Sequence, residues 1–212
     1  MRVVLVASLV AAATGSAAAD SLPDCKRELD SRGVSWKRAS RPGIANAVEI
    51  VGSIGGVALT SPEGATEHPL VIDCSLAVSL AEAMIYVKAL GIDKATFSSA
   101  YSRRNVRGTN KPSKHSFGLA IDVHTFGGPD LGTLRVDRDY EQGLGDEVDC
   151  LGKPLTQGGA VLKVLQCQLA RSGLFSLVLS PDYDDAHHDH FHLEVKPWRD
   201  RTELRSPAPA IH

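Results

Sequence analysis

Between Asp73 and Gly91 the apolar residues recur at helical spacing: Leu76, Leu80, Ala83, Met84, Val87 and Leu90 form one stripe. Asp73 can cap such a helix and Gly91 can end it. A second helix is expected from about Thr156 to Arg171, with Leu162, Leu165 and Leu169 on one face and Gly173 beyond its end. Asp24 to Arg32 has the same spacing and stops at Gly33. Elsewhere the period falls to two. Leu119, Ile121 and Val123 alternate with Ala120, Asp122 and His124, the pattern of a half-buried strand. Phe191, Leu193 and Val195 mark a last strand, and Ala95 to Tyr101 and Leu174 to Leu179 two more. Val48–Ile54 and Val57–Thr60 flank Gly55-Gly56 and predict a hairpin. Gly127 to Gly152 forms a long insertion rich in Asp, Glu and Gly, with a short strand around Leu134 to Val136. Strands and helices follow one another without regular alternation. The expected fold is therefore α+β, a small antiparallel sheet flanked by helices.

The first twenty residues change the picture of where such a domain works. Arg2 precedes an apolar run from Val3 to Ala13, and Ala17, Ala18 and Ala19 supply small residues at a cleavage point. This predicts a signal peptide over residues 1–19, a domain over 20–200 and an irregular Pro- and charge-rich tail over 201–212. The apolar run is well short of the roughly 18–20 residues a membrane span needs, and no later stretch qualifies. The product is expected to be exported, periplasmic or secreted, with no membrane span after cleavage. Loss of Arg2 leaves 22 basic against 25 acidic residues, net −3, which suggests no nucleic-acid partner. Four cysteines in an exported chain point to two disulfides. Cys25–Cys74 and Cys150–Cys167 are the expected pairs because they close local loops, although sequence alone does not choose among the three pairings.

The chemistry concentrates near the end of the chain. HHDHFH places four of the eight histidines in six residues, His187 to His192. In a strand His190 and His192 point to one face while Phe191 and Leu193 point to the other. Two donors need a third. Asp122 lies inside an otherwise apolar strand, where a carboxylate needs a cation or another partner, and His115 lies seven residues before it. Taken singly, Asp122 could pair with a nearby arginine and His115 could be a loop histidine. Together with His190-x-His192 they suggest a shared metal.

Ser113-x-His115-x-x-Gly118-x-Ala120-x-Asp122 followed by His190-x-His192 resembles the two motifs of zinc D-alanyl-D-alanine carboxypeptidases and peptidoglycan endopeptidases. Their metal-site fold is shared with lysostaphin-type enzymes and the hedgehog signalling domain. Over nearly the whole mature chain the pattern is more similar still to the bacterial extensin-like C-terminal domain family. That similarity rests on Cys25 with Gly33-Val34, the stretch Tyr101 to Gly108, the first motif, Ser180-Pro181-Asp182 and His187 to Leu193. Family members usually carry Cys where this chain has Arg103, so the family's disulfide pattern is not carried over.

The resemblance implies one zinc ion per chain, held by His115, Asp122 and His192, with a position left for water. It implies His190 as general base or transition-state stabiliser, with Glu194 a weaker candidate on the same face. His187 is either a supporting partner or a solvated loop residue, and His188 has no assigned role. Of the basic residues Arg103, Arg104 and Arg107, Arg104 aligns with the family's arginine and is expected to hold a substrate carboxylate. Ser113 is expected to brace the loop or contact substrate, and Gly118 and Ala120 to leave room for substrate or metal. The implied activity is hydrolysis of an amide in peptidoglycan stem peptides or cross-links. Two other readings stay open: a zinc-containing cell-wall-binding domain without activity, and an exported metal-sequestering protein. The acidic run Asp182, Asp184 and Asp185 adds a calcium alternative, although it lacks the full spacing of a calcium-binding loop.

Overall fold

The structure, a computed structural model, describes residues 24–61, 69–144 and 150–200. The expected signal peptide over 1–19 and the tail over 201–212 lie outside the described residues. In chain order the elements are α1 (Cys25–Ser31), β1 (Trp36–Arg38), β2 (Ala47–Ile50), β3 (Ala58–Thr60), β4 (Val71–Asp73), α2 (Cys74–Ala89) and β5 (Lys94–Ser99). A 3-10 turn (Lys114–Phe117) then leads into β6 (Ala120–Gly128), β7 (Gly132–Arg135), α3 (Val136–Asp139), α4 (Gln157–Arg171), β8 (Leu177–Leu179) and β9 (Phe191–Glu194). The class is α+β, as expected.

The strands form two sheets. One has the order β1-β2-β4; the other runs β3-β5-β6-β9-β8, with β7 also paired to β6. All pairings are antiparallel except β3 with β5. The expected hairpin around Gly55-Gly56 does not extend beyond a single bridge. Both glycines take positive φ and turn the chain, and Ile54 bridges to Val57. The flanking strands then part, β2 into one sheet and β3 into the other. A Cβ on Gly55 would lie 2.6 Å from the Met84 Cβ, so this turn packs directly on α2.

Asp73 ends β4 and caps α2. Its carboxylate accepts hydrogen bonds from the Ser75 backbone N–H at 2.9 Å and the Asn46 N–H at 3.0 Å. Every residue from Cys74 to Ala81 is buried, far more than one stripe. A helix so enclosed is internal, and α2 packs against α1, α4, β2 and β4. The disulfides pair as expected, Cys25–Cys74 and Cys150–Cys167. The first joins the opening residues of α1 and α2. Among the described residues, no helix is long and apolar enough to cross a membrane.

The central strands β6 and β9 carry two chemistries on opposite faces. Ile121, Val123, Phe191 and Leu193 enter the core, where the Phe191 ring meets Phe126 and Tyr140. The alternate residues Asp122, His192 and Glu194 emerge on the other side. Asp122 and His192 are direct cross-strand partners.

Candidate metal centre

The 3-10 turn brings His115 to this pair. The Ser113 hydroxyl accepts the His115 backbone N–H at 3.3 Å, and Gly118 ends the turn in the left-handed conformation, φ 63°. Gly118 is small for a reason other than the one expected. A Cβ there would sit 2.8 Å from both the Asp73 nitrogen and the Ile44 Cδ1, so the requirement is packing, not room for substrate. Ala120 is fully buried opposite Glu194 in the ladder. Ser113 is buried and its side chain caps the turn, which braces His115.

His115 Nε2, Asp122 Oδ1 and His192 Nδ1 converge. The separations are 3.2 Å from His115 to Asp122, 3.3 Å from His115 to His192 and 2.6 Å from His192 to Asp122. Donors around a tetrahedral zinc at about 2.0–2.1 Å would sit about 3.3 Å apart. Two edges of the triangle already have that length. The third is a hydrogen bond that has to lengthen by several tenths of an ångström. Two imidazoles and one carboxylate are a donor set that suits zinc. The far nitrogens are also held: Ser99 Oγ lies 3.3 Å from His115 Nδ1, and Glu194 Oε1 lies 3.0 Å from His192 Nε2. Such outer contacts fix which imidazole nitrogen faces a metal.

The electrostatics follow from close packing. Burial disfavours charge on Asp122, but hydrogen bonds from His115 and His192 overcome it and hold the carboxyl far below its usual range. Burial likewise opposes protonation of His192, yet Asp122 and Glu194 push it up to about 9. His190 lies below its ordinary value because burial outweighs the pull of Asp189.

The remaining expected residues fall around this point. His190 Nε2 is 3.5 Å from Asp122 Oδ1, and its Nδ1 is 2.7 Å from Asp189 Oδ1. Arg104 Nη2 is 3.6 Å from Asp122 Oδ2, so the arginine pairing considered for Asp122 exists alongside the histidine contacts. Arg104 also lines a surface groove of about 470 Å³ with Arg103, Asn105, Pro112 and Phe117. It stands at the base of a loop closed by the Asn105–Pro112 bridge, which sets it apart from Arg107 farther along that loop. His187 is not simply solvated. Its Nδ1 is 2.6 Å from Asp184, and its ring packs beside His190 and His192. His188 contacts the Asp185 carbonyl, at 2.7 Å from Nδ1.

The acidic run is committed to local structure. Asp182 accepts from the Tyr140 hydroxyl and the Gly143 N–H, and Asp184 caps the turn before His187. Ser99, Asp189 and His124 also stand at this point, without a part expected from the sequence. For His124 the signal was present, since it follows Asp122 by two residues and shares its strand. Asp189 stands inside the histidine cluster, next to His190, whereas Ser99 carried no signal, because its approach to His115 depends on how β5 docks on the turn.

Neither a curated protein nor a solved structure matches the chain. Residues 24–204 match the family described as Extensin-like protein C-terminus, a span that takes in every described element, and the chain belongs to that family.

Proposed function

We propose that this protein is an exported zinc-dependent hydrolase of amide bonds in peptidoglycan stem peptides or cross-links. The observation that carries the reading is the convergence of His115, Asp122 and His192 from three separate elements onto one buried point, with a fourth imidazole beside it. Zinc held by these residues supplies Lewis acidity for attack on an amide carbonyl at neutral pH. His190 sits within reach of that point through Nε2. It takes a proton from the attacking water and returns one to the leaving amine. Asp189 anchors the opposite nitrogen and sets the orientation of the ring. Arg104 joins the centre to the adjoining groove, where its guanidinium can hold a stem-peptide carboxylate through two hydrogen bonds. Export agrees with the two disulfides. Convergence on one point favours a defined centre over loose sequestration of many ions.

The test is incubation of zinc-loaded full-length protein with purified peptidoglycan, followed by analysis of released D-alanine and shortened muropeptides. A loaded protein that cleaves no stem peptide would leave the binding-domain reading in its place. His190→Ala is expected to keep the zinc held by His115, Asp122 and His192 and to lose hydrolysis by about 10²–10⁴-fold. Full activity in that variant would remove His190 from the mechanism. Glu194→Gln is expected to weaken zinc binding by about 10–100-fold through loss of the His192 support. Competition with a chromogenic chelator measures this, and an unchanged affinity would show that Glu194 plays no part.

A further inference from the structure

We infer a second divalent-cation site, formed by His124, Asp189 and His190 beside the proposed zinc centre and additional to the single ion expected from sequence. One donor atom from each of these residues lies within 4.8 Å of the others. The sheet is deformed at the point where His124 joins them. Along the β5–β6 ladder Thr96 pairs with Thr125, Phe97 with Val123 and Ser99 with Asp122, so Ser98 and His124 are the two residues left out of register. Such bulges redirect side chains and are frequent beside functional sites.

The two displaced residues bond each other, with Ser98 Oγ 2.6 Å from His124 Nε2. With the hydroxyl accepting, His124 Nδ1 presents a lone pair to Asp189 Oδ2, 3.6 Å away. The other carboxylate oxygen of Asp189 faces His190 Nδ1 at 2.7 Å. One carboxylate thus stands between two imidazole nitrogens whose rings are 5.2 Å apart. Ser98 has the role toward His124 that Ser99 has toward His115, a hydroxyl holding the far nitrogen. The same N, N, O donor set is therefore built twice, each time with one donor on β6.

The second set is the more open. Asp189 is 38 % exposed and His124 24 %, and both line a cleft of about 230 Å³ that gives an ion access from solvent. Arg135 also lines this cleft, but Asp137 holds its guanidinium at 2.6 and 3.0 Å and offsets its charge. Greater exposure makes this the weaker of the two sites. The inference does not depend on the zinc reading of the first centre, although the two share His190. A cation bound at Nδ1 leaves the His190 proton on Nε2, facing Asp122. The ring can then donate a hydrogen bond there but can no longer accept a proton.

The experiment is calorimetric titration of zinc chloride into the metal-stripped, disulfide-intact full-length chain, repeated with cobalt(II) and read by visible absorption. Wild type is expected to take up two equivalents, one tight and one weaker. His124→Gln and Asp189→Asn should each take up one, with the tight phase retained. Asp189 is close enough to the surface that its variant tests the site even if His124→Gln fails to fold. His115→Ala should lose the tight phase and keep the weaker. A single equivalent in wild type that disappears in His115→Ala overturns the second site and leaves the first standing. Two equivalents that persist in both His124→Gln and Asp189→Asn overturn it as well. Loss of the weaker equivalent in His187→Gln but not in His124→Gln would assign it instead to His187, His190 and His192, which also gather closely enough to hold an ion.

Discussion

Asp122→Ala is expected to lose tight zinc binding and, with it, detectable cleavage of peptidoglycan. Asp122 is the carboxylate on which the centre is built. Its Oδ1 lies 2.6 Å from His192, 3.2 Å from His115 and 3.5 Å from His190. Removing residues that merely orient ligands costs metal proteins about 10–100-fold in affinity, so removing a ligand should cost more than ~100-fold. Two imidazoles then remain, without the negative charge that offsets the ion. Elemental analysis after desalting gives the zinc content, and circular dichroism establishes that the variant is folded. A folded Asp122→Ala protein that still holds one tight zinc would overturn the proposed centre, whatever its activity. His115→Ala is expected to behave alike, because His115 is fully buried and its Nε2 has no other described partner than Asp122 and His192.

The second large effect concerns the disulfides. Replacing both Cys25 and Cys74 by Ala is expected to lower stability by about 4 kcal/mol, from the loop entropy released to the unfolded chain. The bond spans 49 residues, against 17 for Cys150–Cys167, whose removal should cost nearer ~3 kcal/mol. Denaturant titration of each double variant reads both values. A loss below about 1 kcal/mol for the longer loop would show that packing of α1 on α2 holds the pair without the crosslink. The longer loop matters to the site as well. Cys74 follows Asp73, whose N–H donates to the Gly118 carbonyl at 2.9 Å, and Gly118 closes the turn that carries His115.

Much of this molecule can be read from local pattern, and the unread parts have physical causes. Helix α2 announced itself because Asp73, the apolar spacing and Gly91 agree. The stripe nevertheless understated its burial: Ser75 and Ser79 also lie inside, and Ser79 is satisfied there by the Leu174 carbonyl at 2.7 Å. Strands β1 and β4 have three residues each, too few for a period of two to show. The Gly55-Gly56 turn was legible, whereas the parting of β2 and β3 was not, because it depends on which sheet each strand finds. Strand alternation set Asp122, His190 and His192 apart from the core, whereas the choice of His192 over His190 as a ligand, with His115 on its turn, came from the family resemblance. The bulge that expels Ser98 and His124 follows from cross-strand register, and neither strand's own sequence records it.

The ladder that opposes Asp122 to His192 has a consequence for how an ion would be acquired. Both donors ride on central strands whose inner faces are sealed into the core, and His115 sits on a turn capped at both ends. The fold itself therefore brings the proposed donors together, only the 2.6 Å contact between Asp122 and His192 having to lengthen, so most of the ordering an ion needs belongs to folding rather than to binding. Small domains that fold around their metal collapse when it is removed. The proposed centre is of the other kind. Stripped by a chelator, the protein should remain folded and reload reversibly, and on the proposed zinc reading its maturation would separate into two events: closure of the disulfides during folding, and later capture of an ion by a finished scaffold.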